Sequence, residues 1–261
     1  MRYRAAAPIL CAFLLLGCKG DAAKTESNAE EQEFPEPEPY ACRVYDYYNY
    51  SGKVPWSEEI ESSYFDDVLF AGDSRMGAMY LWGTIENAQV EYVTSLNLWL
   101  IDSMPLDNHT DGMTMYDALE TTDKNNIYLL FGINEIRNSE SYFDSWAFEQ
   151  YQSILDMLRT NNPDSNIYIM STYHPREISG LPEPALTEHL GYVNSRLGQL
   201  AMDNYVYYLD LDEGLTDESG LVRDEYVGDG LHFGPTGTHA LEDYIKTHVV
   251  RRNWYVKEVC E

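Results

Sequence analysis

Positive charge is what this sequence has least of. Seventeen Lys and Arg stand against 44 Asp and Glu in 261 residues, a formal net charge of −27. Such a chain repels phosphates rather than releasing their counterions, which argues against a nucleic-acid partner. It also has little means of docking electrostatically on an anionic bilayer. Long apolar runs are scarce too: the longest, Ala5 to Gly17, falls short of the roughly 20 residues that span a membrane. The four Cys and six His show no C-x-x-C or His-rich spacing of a zinc site. The acidic stretch from Asp210 to Ser219 lacks the glycine at position six and the closing Glu of a calcium loop. No metal and no cofactor are expected, and no internal repeat is present.

What the sequence does have is 44% hydrophobic residues, enough for a core, in a length that suits one large domain or one domain with a tail. Its 22 Tyr, scattered along the chain, suggest half-buried strands and loops rather than a stacking platform. Arg2 and Arg4 ahead of the short apolar run read as a secretory signal. The run ends Leu15-Leu16-Gly17-Cys18, which resembles a bacterial lipobox, where cleavage leaves the Cys as an acylated first residue. A plain signal peptide cut nearby is the alternative. Residues 18–40 contain almost no apolar bulk and carry Pro-Glu-Pro-Glu-Pro from Pro35 to Pro39, an extended spacer. The expected order is a signal over 1–17, a linker over 18–40 and a folded domain over 41–261. The product is an exported monomer held on the outer face of the bacterial membrane by lipid at Cys18. Cys42 and Cys260 then stand at the two ends of the domain, as a disulfide or as two free thiols; an exported domain with neighbouring termini favours the bridge.

The domain alternates strand and helix. Short apolar, β-branched and aromatic runs predict strands at 67–71, 90–94, 126–132, 166–171 and 205–210. Apolar residues at helical spacing predict helices over 143–160, stopped by Asn161-Asn162-Pro163, and over 186–202 and 236–250. Repeated β-then-α units imply an α/β fold, a parallel five-stranded sheet with helices on both faces. In such sheets ligands sit at the carboxyl ends of the strands.

Three segments at those ends carry chemistry. Gly72-Asp73-Ser74-Arg75 follows strand one and puts a Ser where backbone N–H groups are free. Gly132-Ile133-Asn134-Glu135 follows strand three and offers a side-chain amide as a hydrogen-bond donor. Asp229-Gly230-Leu231-His232 precedes the last helix, so one loop can present a carboxylate and an imidazole together. Taken singly, each has an ordinary reading: an N-cap Ser, a loop-ordering Asn, a surface Asp with a loop His.

Their order and placement resemble the SGNH (GDSL-type) hydrolase superfamily over roughly residues 64–250, with local wording similar to a branch found in clostridia and related Firmicutes. The resemblance implies a three-layer α/β/α, flavodoxin-like domain that hydrolyses esters. Ser74 matches the nucleophile, His232 the base and Asp229 the residue that orients it. Asn134 matches the oxyanion Asn beside the Ser74 amide. Two positions depart from the family pattern. Glu135 stands where Asp is usual, and the second block reads Thr94-Ser95-Leu96-Asn97 without the family's Gly. Ser95 is the best match for that backbone donor and Asn97 the runner-up. The expected substrate is a small-molecule or carbohydrate ester, with acetyl as the acyl group. Acyl transfer to a sugar by the same triad, and a non-catalytic surface binding protein of the same fold, are the alternatives. Arg75 is expected to pair with a carboxylate rather than with substrate, His174 is a candidate for the pocket wall, and Trp82 and Trp99 are candidates for packing near the pocket, with core packing favoured.

Overall fold

The computed structural model describes residues 42–137 and 146–260, the side chain of Cys260 excepted. The leader, the linker and Cys18 lie outside the described residues. Strand β1 (Cys42–Asp46) pairs with β7 (Val256–Cys260) as a separate two-stranded sheet. Cys42 is disulfide-bonded. The main sheet holds β2 (Val68–Gly72), β3 (Gln89–Tyr92), β4 (Asn126–Leu130), β5 (Asn166–Met170) and β6 (Tyr207–Leu209), all parallel, in the order β3-β2-β4-β5-β6. The helices are α1 (Ser74–Trp82), α2 (Met115–Thr121), α3 (Phe148–Asn161), α4 (Ala185–Asp203), α5 (Leu211–Leu215) and α6 (Pro235–Lys246). No described helix is long and apolar enough to cross a membrane.

Strand alternation sorts the core into two layers. Leu69, Ala71, Ile127, Leu129, Ile167 and Ile169 face one way and pack with the buried residues of α2, α3 and α4. Val68, Phe70, Tyr128, Leu130, Tyr168 and Met170 face the other way and pack with α1 and α6. The result is the expected α/β sheet covered on both faces.

Register makes the second layer aromatic. Phe70 pairs with Tyr128, Tyr128 with Tyr168, and Tyr168 with Tyr207 across four neighbouring strands. Their rings follow one another at centroid distances of 5.1, 4.2 and 4.9 Å. These tyrosines are buried, not half-buried as the composition suggested. Their hydroxyls find partners at the layer's margin: Tyr64 and Tyr128 share a 2.9 Å hydrogen bond, and the Val250 N–H donates to Tyr168 Oη at 3.1 Å.

Several elements end away from their predicted limits, β3 at Tyr92 and β4 at Leu130 among them. The last helix stops at Lys246 rather than 250, because His248 turns back onto Tyr244 (3.9 Å between rings) and Val250 must reach Tyr168. Strand β6 begins at Tyr207, since Tyr205 takes a left-handed turn, φ +52°, straight after α4. Helix α3 is assigned from Phe148, and 138–145 lies outside the described residues.

The aromatic rung gives a first prediction. Tyr168→Phe leaves the Val250 N–H without its acceptor and lowers unfolding stability in urea by about 1–3 kcal/mol. Tyr168→Ala costs about 3–5 kcal/mol by opening the rung itself.

Candidate active site

The cleft forms where β2, β3 and β4 end. Gly72 closes β2 because nothing larger fits: a Cβ there would lie 2.8 Å from the Leu130 carbonyl oxygen. The chain then turns through Asp73, whose carboxylate caps α1 by accepting the Arg75 N–H at 3.0 Å. The same carboxylate takes two bonds from the Arg75 guanidinium, at 2.9 and 2.8 Å, in a fully buried pair. Arg75 is therefore committed to Asp73, as expected, and unavailable to substrate.

Ser74, at the first turn of α1, meets the loop that precedes α6. Its Oγ lies 2.9 Å from His232 Nε2, and His232 Nδ1 lies 2.7 Å from Asp229 Oδ2. The other Asp229 oxygen accepts the backbone N–H groups of Leu231 (3.0 Å) and His232 (2.7 Å). Gly230 makes this loop possible: its φ is +84°, and the carboxylate and imidazole on either side can turn toward each other. Burial raises the Asp229 carboxyl, but the bonds from the His232 side chain and from the two backbone amides outweigh it and hold it down at about 2. Asp229 is thus ionised at neutral pH and fixes the proton of His232 on Nδ1, leaving Nε2 to accept from Ser74.

Two further segments face Ser74 across the cleft. Asn134 Nδ2 donates one bond to the Leu96 carbonyl at 2.8 Å, and Glu135 Oε1 accepts the Leu98 N–H at 2.6 Å. Together they grip the loop after β3 and hold Ser95 at φ +60°. That is the left-handed region in which glycine is unstrained, and it explains why a Gly is usual in this block. Among the described residues the N–H groups of Ser74 and Ser95 and the second N–H of Asn134 have no acceptor in the protein. All three residues line one cleft of about 420 Å3. Asn97 lines it as well, but its Nδ2 bonds to the Ser95 carbonyl at 3.2 Å.

Three cleft residues went unread or misread in the sequence. Trp99 is no core residue: it is 41% exposed and lines the cleft, while Trp82 is exposed elsewhere. Arg137 and Leu231 complete the wall. Arg137 lies two residues beyond Glu135 and Leu231 beside His232, so proximity to the motifs was the available signal. His174 is held away from the cleft, its ring nitrogens 2.9 Å from the Pro175 carbonyl and from Thr187 Oγ1.

Glu135 supports the site from below. Burial and the nearby Asp73 charge push its carboxyl up to about 7, against the Leu98 N–H and the Arg75 charge. The folded state therefore holds this proton more tightly than the unfolded chain, whose value is near 4.5. Stability contributed here is complete below pH 4.5 and is lost as pH rises to about 7, on the order of 3 kcal/mol. Glu135→Gln removes that slope, so unfolding midpoints of variant and parent should diverge in the variant's favour between pH 5 and pH 8. Ser95 yields a second test: if only its backbone serves the cleft, Ser95→Gly leaves ester turnover within about twofold and gains about 1 kcal/mol, whereas Ser95→Val loses both turnover and stability.

A family model described as the GDSL-like Lipase/Acylhydrolase family matches residues 101–240, a span that includes Asn134, Asp229 and His232 and begins after Ser74. No curated protein matches the chain. Among solved structures, one from Streptococcus pneumoniae provisionally described as a platelet activating factor is 23% identical, with a TM-score of 0.53 over 69% of this chain and 82% of that one. A GDSL-like lipase from Bacteroides thetaiotaomicron is 13% identical, TM-score 0.52, over 72% of this chain and 89% of that one. A Bacteroides fragilis protein provisionally described as an acylhydrolase is also 13% identical, TM-score 0.52, over 75% and 90%. At such identities the likeness is one of fold.

Proposed function

The chain belongs to the GDSL-like lipase/acylhydrolase family and is a hydrolase of ester bonds, and from that premise we propose that Ser74, His232 and Asp229 form its catalytic triad and remove short O-acyl groups, acetyl foremost, from carbohydrate. The observation that carries this reading is the line from Ser74 Oγ through the His232 ring to Asp229, 2.9 and 2.7 Å long, ending beside three uncommitted N–H groups.

In the proposed reaction Ser74 Oγ attacks the ester carbonyl carbon while His232 Nε2 takes the hydroxyl proton. The carbonyl oxygen becomes an oxyanion held by the N–H groups of Ser74, Ser95 and Asn134. His232, now an imidazolium beside the Asp229 carboxylate, gives its proton to the leaving alcohol oxygen, and the C–O bond breaks. Water then attacks the acyl-Ser74 carbonyl, His232 takes its proton, and the acid departs as the proton returns to Ser74 Oγ.

The openness of the site supports hydrolysis over transfer. The side chains of His232 and Asp229 are 43% and 59% exposed, so water has access to an acyl group on Ser74. The cleft is largely polar, with Trp99 and Leu231 as its apolar walls, which suits a small acyl group on a sugar better than a fatty chain. Export and anchoring at Cys18 belong to the same proposal. They rest on the lipobox-like Leu15-Leu16-Gly17-Cys18, and the disulfide at Cys42 supports an oxidising compartment.

Hydrolysis of p-nitrophenyl acetate and of longer p-nitrophenyl esters tests the reading. The acetate is expected to turn over fastest, and Ser74→Ala or His232→Ala to lower kcat by about 10³-fold or more with folding unchanged. Turnover that survives Ser74→Ala, or a Ser74 that a fluorophosphonate fails to label, would reject the triad.

A further inference from the structure

The amino-terminal edge of the main sheet, opposite the Ser74 cleft, carries a second pocket of about 580 Å3. Asn166 and Tyr207, at the starts of β5 and β6, form part of its wall, whereas Ser74 and Asn134 follow the ends of β2 and β4. We propose that this pocket, with Arg159 and Arg252 over a wall of Tyr50, Tyr205 and Tyr207, binds a saccharide that bears an oxyanion.

The cations supply the first argument. Arg159 is fixed in place by donating to the carbonyls of Ser165 (2.7 Å) and Tyr205 (3.1 Å). Burial and the like charge of Arg252 both disfavour its protonated form. Among the described residues neither guanidinium has a carboxylate partner, although the chain carries 44 carboxylates. The carboxylate in the wall, Asp46, is engaged by the Tyr50 hydroxyl at 2.7 Å and the Tyr48 N–H at 2.9 Å. Two guanidiniums that share a wall with a single carboxylate, and make no ion pair with it, keep N–H groups and positive charge for a bound carboxylate or phosphate.

The aromatic wall supplies the second. Tyr50 and Tyr207 stack at 5.7 Å with 15° between planes, and Tyr205 meets Tyr50 edge-on at 5.6 Å. Tyr205 is 70% exposed and sits at φ +52°, a conformation that bulky side chains seldom adopt. Its ring stands at the pocket mouth although burial gives it no reason to. The exposed Tyr205 ring so placed offers a flat face to the C–H face of a sugar, with Tyr50 and the buried Tyr207 behind it. An exposed aromatic ring beside two guanidiniums selects an acidic sugar over a bare anion or a neutral one.

The probe is trigalacturonate, titrated calorimetrically into the whole protein carrying Ser74→Ala, so that its outcome is independent of ester hydrolysis. One site is expected per chain, weakened about tenfold or more by Arg252→Gln and by Tyr205→Asn, a substitution that tolerates the left-handed turn. In the parent with Ser74 intact, neither substitution should alter p-nitrophenyl acetate turnover. The proposal is overturned if trigalacturonate does not bind, if neutral xylotriose or inorganic phosphate binds as tightly, or if both variants bind it unchanged.

Discussion

The buried ion pair between Asp73 and Arg75 is the contact on which the rest of the site leans. One carboxylate caps α1 and neutralises a guanidinium with no exposure to water. A lone charge at that depth would be intolerable, so neither residue can move without the other. The Arg75 guanidinium lies 5.6 Å from the centre of the Tyr173 ring, and the Tyr173 hydroxyl donates to the Leu231 carbonyl beside His232. The helix of Ser74 and the loop of His232 are thereby referred to one fixed point. On the other side Glu135 lies within reach of both charges and holds the loop of Ser95 through Leu98. Three chain segments far apart in sequence take their positions from this pair.

Parallel register does the remaining alignment. The Asp73 N–H donates to the Leu130 carbonyl and the Val93 N–H to the Gly72 carbonyl, each just past the end of its strand. The exits of β2, β3 and β4 are held level, which is why Ser74, Ser95 and Asn134 share a cleft despite lying in three different blocks. The exits themselves are polar while the strands are continuously buried, so the switch from apolar run to Gly-Asp-Ser or Gly-Ile-Asn marks the edge of the sheet.

That switch is what made the fold and the residues of the candidate site readable. Asn126-Ile127-Tyr128 and Asn166-Ile167-Tyr168 announce two strands, and they pair residue for residue. Other features depend on distances that sequence does not carry. A serine's φ is set by the Leu96 and Leu98 contacts, not by its own type, so the missing Gly looked like a defect where the backbone in fact takes the glycine-like turn. Tyrosine looked like a half-buried residue because its hydroxyl needs a partner. Only the register shows that Tyr64 and Val250 supply those partners and let the rings go to the interior. For Trp99 the core was favoured over the pocket, but the short turn after Ser95 turns it toward the cleft. The 236–250 helix overran because helical periodicity is blind to a residue such as Val250 that is needed elsewhere.

The charge of the chain bears on the proposed chemistry in one more way. With a net charge of −27, an acidic substrate is repelled at long range, and a neutral acyl ester is not. Arg137 at the cleft wall and the Arg159–Arg252 pair on the opposite edge are local exceptions to that field. At contact distance a guanidinium outweighs many remote carboxylates, because salt screens charges beyond roughly 10 Å. An acidic glycan would therefore arrive slowly and be held by contacts close at hand, while the small acyl group cut from it would leave as a carboxylate driven off by the same field. Binding at the guanidiniums and expulsion of the acid are compatible because they act over different ranges.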